Sequence, residues 1–251
     1  MMAEGHVATG QNRLLSILPD EEYRHIAPHL QKVSLGTRAM LYESRKPIEH
    51  VYFPIDGVMS MLAEMEDESL IEVATVGNEG MVGLPLFLGA SMTPGQAFSQ
   101  VPGDALRMDG EAFIKAVERS GTFSRLLHRY TQALMIQISQ GTACNRGHEI
   151  EQRCARWLLL THDRVGADEF QLTQEFLGQM LGVRRATVNN IAVQFQNKGY
   201  LEYARGRIHI LNRKKLEGVA CNCYFVIRDE YDRMLSTGTA DAGPKNKKRR
   251  R

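Results

Sequence analysis

The spacing of apolar and polar positions changes character twice along this chain. Residues 13–30 place Leu14, Leu15, Ile17, Leu18, Tyr23, Ile26 and Leu30 at roughly helical intervals, and Pro19 and Pro28 break the run into short helices. From Gln31 to about Met108 the period shortens. LYES, HVYF, VMSML, LIEVATV, AFSQV and ALRM are brief β-prone runs separated by glycine, proline and aspartate. Several such strands in close succession predict a small barrel or sandwich. Asp56-Gly57, between HVYFPI and VMSML, predicts a hairpin turn. Residues 1–12 are small and polar and are expected to fray.

Helix returns from about Glu111, started by Asp109 or Gly110. Residues 122–146 form one long segment in which Leu127, Tyr130, Leu134, Ile138 and Gly141 recur at threes and fours, close to a coiled-coil seam. That much apolar surface asks for a partner, either the chain's own barrel or a second copy. A break near Asn145 to His148 precedes a further helix, Glu149 to His162. Tyr200 to Leu211 predicts a hairpin with Arg205-Gly206 at its tip, and residues 213–235 predict helix. Gly238 to Arg251 is too polar to fold.

Leu172 to Asn197 carries the most specific pattern. Thr173 is a candidate N-cap, and Phe176, Leu177, Met180 and Leu181 make an apolar stripe. Gly182 stands where a helix ends in a left-handed residue. In the next helix Val188, Ile191, Ala192 and Phe195 share one face. Ala186, Asn189, Asn190 and Val193 point away, flanked by Arg185 and Thr187. Arg184 and Arg185 at a helix N-terminus oppose the helix dipole unless an anion runs past that end. In a helix-turn-helix that end meets base edges in the major groove, where arginine grips guanine and asparagine adenine. A solvated helical hairpin is the plainer reading, but pattern, turn glycine and basic face agree on DNA.

Charge sharpens this. Among residues 170–215, eight Lys or Arg face only Glu175 and Glu202, and residues 245–251 add six cations and no anion. With a total of +2, the remainder is net −10. An acidic body with a basic segment fits a nucleic-acid binder that is not generally adhesive. At 251 residues the chain has room for one large or two medium domains. No early run resembles a signal peptide and no apolar stretch is long enough to span a bilayer, so a cytoplasmic protein without membrane association is expected. Four cysteines (Cys144, Cys154, Cys221, Cys223) do not make a disulfide framework in a chain this long.

The order barrel, long helix, helix-turn-helix, two-stranded wing resembles the Crp/Fnr family of bacterial transcription regulators over roughly residues 13–216. In the first half Gly36, Leu41, Tyr42, Pro47, Val51-Tyr52-Phe53 and Asp56-Gly57-Val58 are similar to the family's opening strands and turn. Gly77, Gly80 and Gly83 sit where its glycine-rich phosphate-binding cassette begins. In the second half Leu172-Thr173, Gly178-Gln179, Gly182, Arg185 and Thr187-Val188 match its helix-turn-helix nearly position for position. The resemblance implies an α+β fold: a double-stranded β-helix (jelly-roll) sensor barrel at 13–121, a dimerisation helix and hinge at 122–148, a winged helix-turn-helix at 149–235, and a disordered basic tail at 236–251. It implies no enzymatic activity and no cofactor. The expected partners are double-stranded DNA at a palindromic site, a second copy through Leu127, Tyr130, Leu134, Ile138 and Gly141, an unidentified small-molecule effector, and RNA polymerase if the protein activates.

Two departures refine the expectation. Family members that bind cyclic AMP carry a glutamate after the cassette glycine and an arginine followed by serine or threonine. Here Gly83 is followed by Leu84-Pro85, and the later position reads Gln96-Ala97. A buried phosphate without a cation is costly, so cyclic AMP is not the expected ligand of a pocket at Gly77, Gly80, Gly83, Leu84, Gln96 and Ala97. On the DNA side, Arg185 retains a guanine-reading role, Ala186 replaces a cytosine-reading carboxylate and meets a thymine methyl, and Asn190 replaces a second arginine. Thr173, Thr187, Arg205 and Arg207 are expected at backbone phosphates, with Arg184 and Asn189 beside them.

Metal chemistry is not expected. There is no cysteine before Cys144 to build the family's N-terminal iron–sulfur site, Cys221-Asn222-Cys223 has too few partners for zinc, and the thiols are read as plain and reduced. A haem ligand among His25, His29, His50 or His128 is a weak alternative. The competing reading from another class is a cupin-like metal enzyme with an appended DNA module. It lacks the expected pair of histidines one residue apart in the barrel stretch, where His50 stands alone.

Overall fold

The computed structural model describes residues 12–67 and 69–236. The expectations of a frayed start and a disordered basic tail lie outside these residues, except at Asn12 and Ser236. Asn12 is not frayed but fully buried. Its side chain accepts from the Leu15 amide at 3.1 Å and donates to the carbonyls of Pro54 and Gly80 at 2.9 and 2.8 Å. Pro19 and Pro28 divide the following segment as expected into α1 (Arg13–Ser16), α2 (Asp20–Ile26) and a 3-10 turn at Ala27–His29.

Seven strands follow: β1 (Gln31–Leu35), β2 (Met40–Tyr42), β3 (His50–Pro54), β4 (Val58–Glu64), β5 (Leu70–Val76), β6 (Gln96–Val101) and β7 (Gly103–Asp109). They form two antiparallel sheets, ordered β1-β7-β3 and β2-β6-β4-β5. Val51, Phe53, Val58, Met59, Val76, Ala97 and Met108 are buried among them. This is the jelly-roll arrangement. β1 carried no clear periodic signal because it is mostly exposed. The Asp56-Gly57 turn exists, but it does not close a hairpin. β3 pairs with β7 while β4 pairs with β5 and β6, so this turn passes the chain from one sheet to the other. Gly57, at φ +76°, lies where a Cβ would come within 2.6 Å of the Val101 carbonyl, and Asp56 accepts from the Asp104 amide at 2.6 Å. The turn glycine was a local signal; which strands pair was set by the apolar faces they bury.

After the short helix α3 (Leu84–Phe87), α4 (Gly110–Arg119) starts at Asp109, which accepts from Ala112 N at 3.0 Å. Ser120 caps α5 (Gly121–Gly147) through the Phe123 amide at 3.0 Å. The dimer stripe expected on this helix is corrected. Leu127, Tyr130 and Leu134 are buried within the chain. The Tyr130 hydroxyl donates to the Met81 carbonyl at 2.9 Å, and its ring meets Tyr231 of α10 (Cys223–Leu235). The apolar surface of α5 therefore finds its partner in the barrel and in α10, leaving Ile138 and Gly141 half-buried. The strip of α5 that faces outward carries Gln132, Met135, Ser139 and Thr142.

α6 (Ile150–Val165) begins at Glu149, whose amide donates to Gln152 Oε1 at 3.2 Å, and ends at Gly166 with φ +68°. Then come β8 (Glu169–Gln171), α7 (Gln174–Leu181), α8 (Arg185–Asn197), β9 (Leu201–Ala204), β10 (Arg207–Ile210) and α9 (Arg213–Val219). The expected hairpin is β9–β10, and β8 adds a third strand to give the order β8-β10-β9. The helical stretch expected at 213–235 is interrupted at Ala220–Asn222, between α9 and α10.

The second half is seated against the barrel. Phe176 of α7 meets Phe98 of β6 edge-on at 6.0 Å, and Trp157 of α6 donates its indole N–H to Glu72 of β5 at 2.8 Å. Arg164, near the end of α6, is buried. It donates to Glu79 at 2.8 Å, to Gln137 of α5 at 2.9 Å and to Thr75 of β5.

Candidate nucleic-acid interface

The corner between α7 and α8 is built by two glycines. Gly182 ends α7 in the left-handed region at φ +66°. Gly178 lets the chain fold back tightly: Val183 N donates to its carbonyl at 2.9 Å, and a Cβ there would come within 2.9 Å of the Val183 carbonyl. Thr173 caps α7, accepting from Phe176 N at 3.2 Å. Phe176, Leu177, Met180 and Leu181 of α7, with Val188, Ile191 and Phe195 of α8, are buried, as the helical spacing predicts. Arg184, Arg185, Ala186, Asn189 and Asn190 are exposed, and Thr187 is half-buried.

Arg184 is the N-cap of α8 and Arg185 its first residue. Neither side chain has an ion-pair or hydrogen-bond partner among the described residues. Two unneutralised guanidinium groups thus stand at the positive end of a helix, an arrangement that favours an anion there. Asn189 accepts from Gln174 of α7 at 3.2 Å, which orients its amide along the outward face.

The wing adds a second cationic edge. Its tip is Arg205-Gly206, both at positive φ, and Arg205 is exposed. Tyr203 fixes the wing to the helix pair: its amide donates to Gln196 at 2.6 Å and its hydroxyl to the Leu172 carbonyl at 2.5 Å. Thr173, Arg185 and Arg205, from three different elements, line one cleft of about 520 Å³. Arg207 lies one strand position further on and is held in an ion pair with Glu169 at 2.6 Å.

The residues expected around an effector are dispersed. Gly77 and Gly80 lie so close to Arg164 and Tyr130 that a Cβ on either would overlap those side chains. Both glycines serve close packing of α6 and α5 on the barrel. Gly83, at φ +101°, caps α3 and abuts Val51, while Leu84 and Ala97 are buried. Gln96 faces a different space, a groove of about 820 Å³ between the barrel and α7 that Phe98, Phe176, Met180 and Arg185 also line.

The expectation for the cysteines is also corrected. Cys221 and Cys223 do not lack partners, because the fold brings Cys144 and His148 to them, at the end of α5. No local pattern signalled this, since the two pairs lie more than seventy residues apart, as the 77-residue Cys144–Cys221 separation illustrates. Only the seating of α10 along α5 joins them. Cys144 Sγ and Cys221 Sγ are 3.4 Å apart. The hydrogen bond with Cys221, with help from the Arg156 charge, pulls the Cys144 thiol below the ordinary thiol range. Cys154 stands elsewhere, and burial pushes it up to about 12.

A winged helix-turn-helix seated on a jelly-roll barrel through one long helix is the class of protein that this fold defines. Residues 152–219 match the Crp-like helix-turn-helix domain family, and the chain carries such a domain. Similar solved structures include FixK2 from Bradyrhizobium japonicum, 18% identical over 76% of this chain and 98% of that one, with a TM-score of 0.65. A CRP-family transcriptional regulator from Thermus thermophilus is 16% identical over 76% of this chain and 96% of that one, at 0.63. A third, a CooA variant from Carboxydothermus hydrogenoformans, is 17% identical over 82% and 94%, at 0.58. The chain thus has the Crp/Fnr fold. A search of curated protein sequences gives no significant match.

Proposed function

We propose that this protein is a sequence-specific DNA-binding transcription regulator of the Crp/Fnr type. The observation that carries the reading is the outward face of α8, where Arg184, Arg185, Ala186, Asn189 and Asn190 stand exposed over a buried Val188-Ile191-Phe195 seam in a Crp-like domain. Arg185, Ala186 and Asn190 read bases; Thr173, Thr187 and Arg205 hold backbone phosphates, and Arg207 does so once released from Glu169. A homodimer joined along the outward strip of α5 around Met135 presents two such faces to a palindromic site with half-sites about one helical turn apart. The barrel reports a signal through the α5–α6 elbow at His148. The effector is not cyclic AMP: Arg164 is already committed to Glu79, Gln137 and Thr75, and the cassette glycines are filled by neighbouring side chains. Where the protein activates, RNA polymerase is a further partner. The protein is not an enzyme and acts in the cytoplasm.

Selection of bound duplexes from a random library, with sequencing, tests this. The expected result is an enriched palindrome with guanine and thymine at fixed positions in each half-site. Binding with no enrichment at any salt concentration would reduce the surface to a general polyanion site.

A further inference from the structure

Three sulfurs and one imidazole nitrogen converge at the elbow between α5 and α6. Cys144 and His148 are one helical turn apart, so the end of α5 offers both on one side. Cys221 and Cys223 come from the start of α10 and the residues just before it. The four candidate donor atoms all lie within 4.8 Å of one another. The three cysteines are at most 3% exposed and form a cluster of their own, apart from the main apolar core.

The surroundings are wrong for a set of neutral thiols. Arg156 of α6 is 9% exposed, and its Nε has no hydrogen-bond acceptor among the described residues. Arg153, one turn earlier, has the same unsatisfied Nε, with its Nη2 on the Leu181 carbonyl at 2.6 Å. Both charges act on Cys144. Arg156 is buried and Arg153 half-buried, and cations so enclosed favour negative charge close by; Glu72 supplies one carboxyl that acts on Arg156, and neutral sulfur supplies none. Gln140 Nε2 donates to Cys223 Sγ at 3.1 Å, the outer contact that a metal-bound thiolate accepts.

We infer that Cys144, His148, Cys221 and Cys223 form a closed site for one Zn²⁺ ion, which staples the α5–α6 elbow to α10. Zinc bonds of about 2.3 Å to sulfur and 2.0–2.1 Å to nitrogen place tetrahedral sulfurs about 3.75 Å apart and sulfur and nitrogen about 3.5 Å apart. Cys223 Sγ to His148 Nδ1 is 3.5 Å, at that spacing, and Cys144 Sγ to Cys221 Sγ, at 3.4 Å, needs only a few tenths of an ångström of opening to admit the ion. A disulfide needs about 2.05 Å between sulfurs. A polynuclear iron–sulfur cluster spreads its ligands over separate irons, and donors this close surround a single ion. Three thiolates and an imidazole fill the tetrahedron, so the site is structural and leaves no position for substrate. On binding, the cysteine thiols release their protons to solvent, and the ion with three thiolates carries a net −1 that Arg153 and Arg156 offset. The staple joins the end of the long helix to α10, and so fixes the angle at which the helix-turn-helix leaves the elbow.

Elemental analysis of the full-length protein, purified under reducing conditions without chelator, tests the inference. The expected content is about one zinc per chain. After chelation, Co²⁺ should give the intense visible absorption of a tetrahedral thiolate site, abolished by added Zn²⁺. Cys221→Ser and Cys223→Ser should each lower zinc occupancy at least tenfold, whereas Cys154→Ala should leave it at one. If these variants do not fold, the Co²⁺ spectrum of the unaltered chain decides. Metal-free protein with no tetrahedral Co²⁺ spectrum would overturn the site, as would full zinc occupancy in the Cys221→Ser/Cys223→Ser double variant. Iron in place of zinc would overturn the choice of ion. None of these readouts involves DNA, so failure of the DNA-binding reading leaves this test intact.

Discussion

α6 carries a buried arginine site at each end, and the two are completed in opposite ways. At its C-terminal end Arg164 donates to Glu79, Gln137 and Thr75, so charge and hydrogen bonds are satisfied by the barrel and α5. At its N-terminal end Arg153 and Arg156 each keep an unsatisfied Nε beside a sulfur corner. The first end is finished by the chain itself; at the second, the acidic groups that act on the arginines are the Glu72 carboxyl and the cysteines of the sulfur corner. A third site, the pair Arg184 and Arg185, is exposed. The same side chain thus stands fully paired, partly satisfied or open to solvent, according to what surrounds it.

The largest expected effect breaks the finished end. Glu79→Ala leaves Arg164 buried without its carboxylate and should destabilise the protein by about 3–5 kcal/mol, read as a fall in the denaturation midpoint. Next comes the exposed pair. Arg185→Ala should cost about 1–3 kcal/mol at one base position in each half-site, measured by competition between single-base operator variants. Arg205→Ala, by contrast, should weaken all sequences alike and lower the salt slope by about one. If Arg185→Ala behaves the same way, it is a phosphate contact.

The seam between barrel and α6 should respond to pH. The Glu72 carboxyl sits in this seam, accepting from Trp157 and Ser60, and burial pushes it up to about 7 from an ordinary 4.5. The native state therefore holds a proton that the unfolded state has lost, and stability should fall as pH rises from about 4.5 to about 7, then level off. The loss should be on the order of 2 kcal/mol and should vanish in Glu72→Gln, as followed by thermal unfolding across pH. The smallest effect sharpens the contrast between the ends of α6. Arg156→Met removes an incompletely bonded cation and should change stability by less than about 1.5 kcal/mol, while weakening zinc retention against a chelator. A loss as large as that of Glu79→Ala would mean that Arg156 is already fully partnered.

What could be read before folding is what short-range chemistry dictates. Pro19 and Pro28, the Asp109 and Thr173 caps, Gly182 in the left-handed region and the Val188-Ile191-Phe195 seam each act within a few residues. The α7–α8 corner, the exposed face of α8 and the wing tip were therefore legible. Tertiary structure decided whatever depends on which surfaces meet. The Leu127-Tyr130-Leu134 stripe looks the same whether it faces a second copy or α10, because periodicity records that a face is apolar and not what covers it. Asp56-Gly57 announced a turn, yet the sheets chose its strands. Gly77 and Gly80 suggested a cradle for phosphate, and their space went to Arg164 and Tyr130. Cys144 and His148 met Cys221 and Cys223 only when α10 came to lie along α5, a juxtaposition that no local pattern encodes.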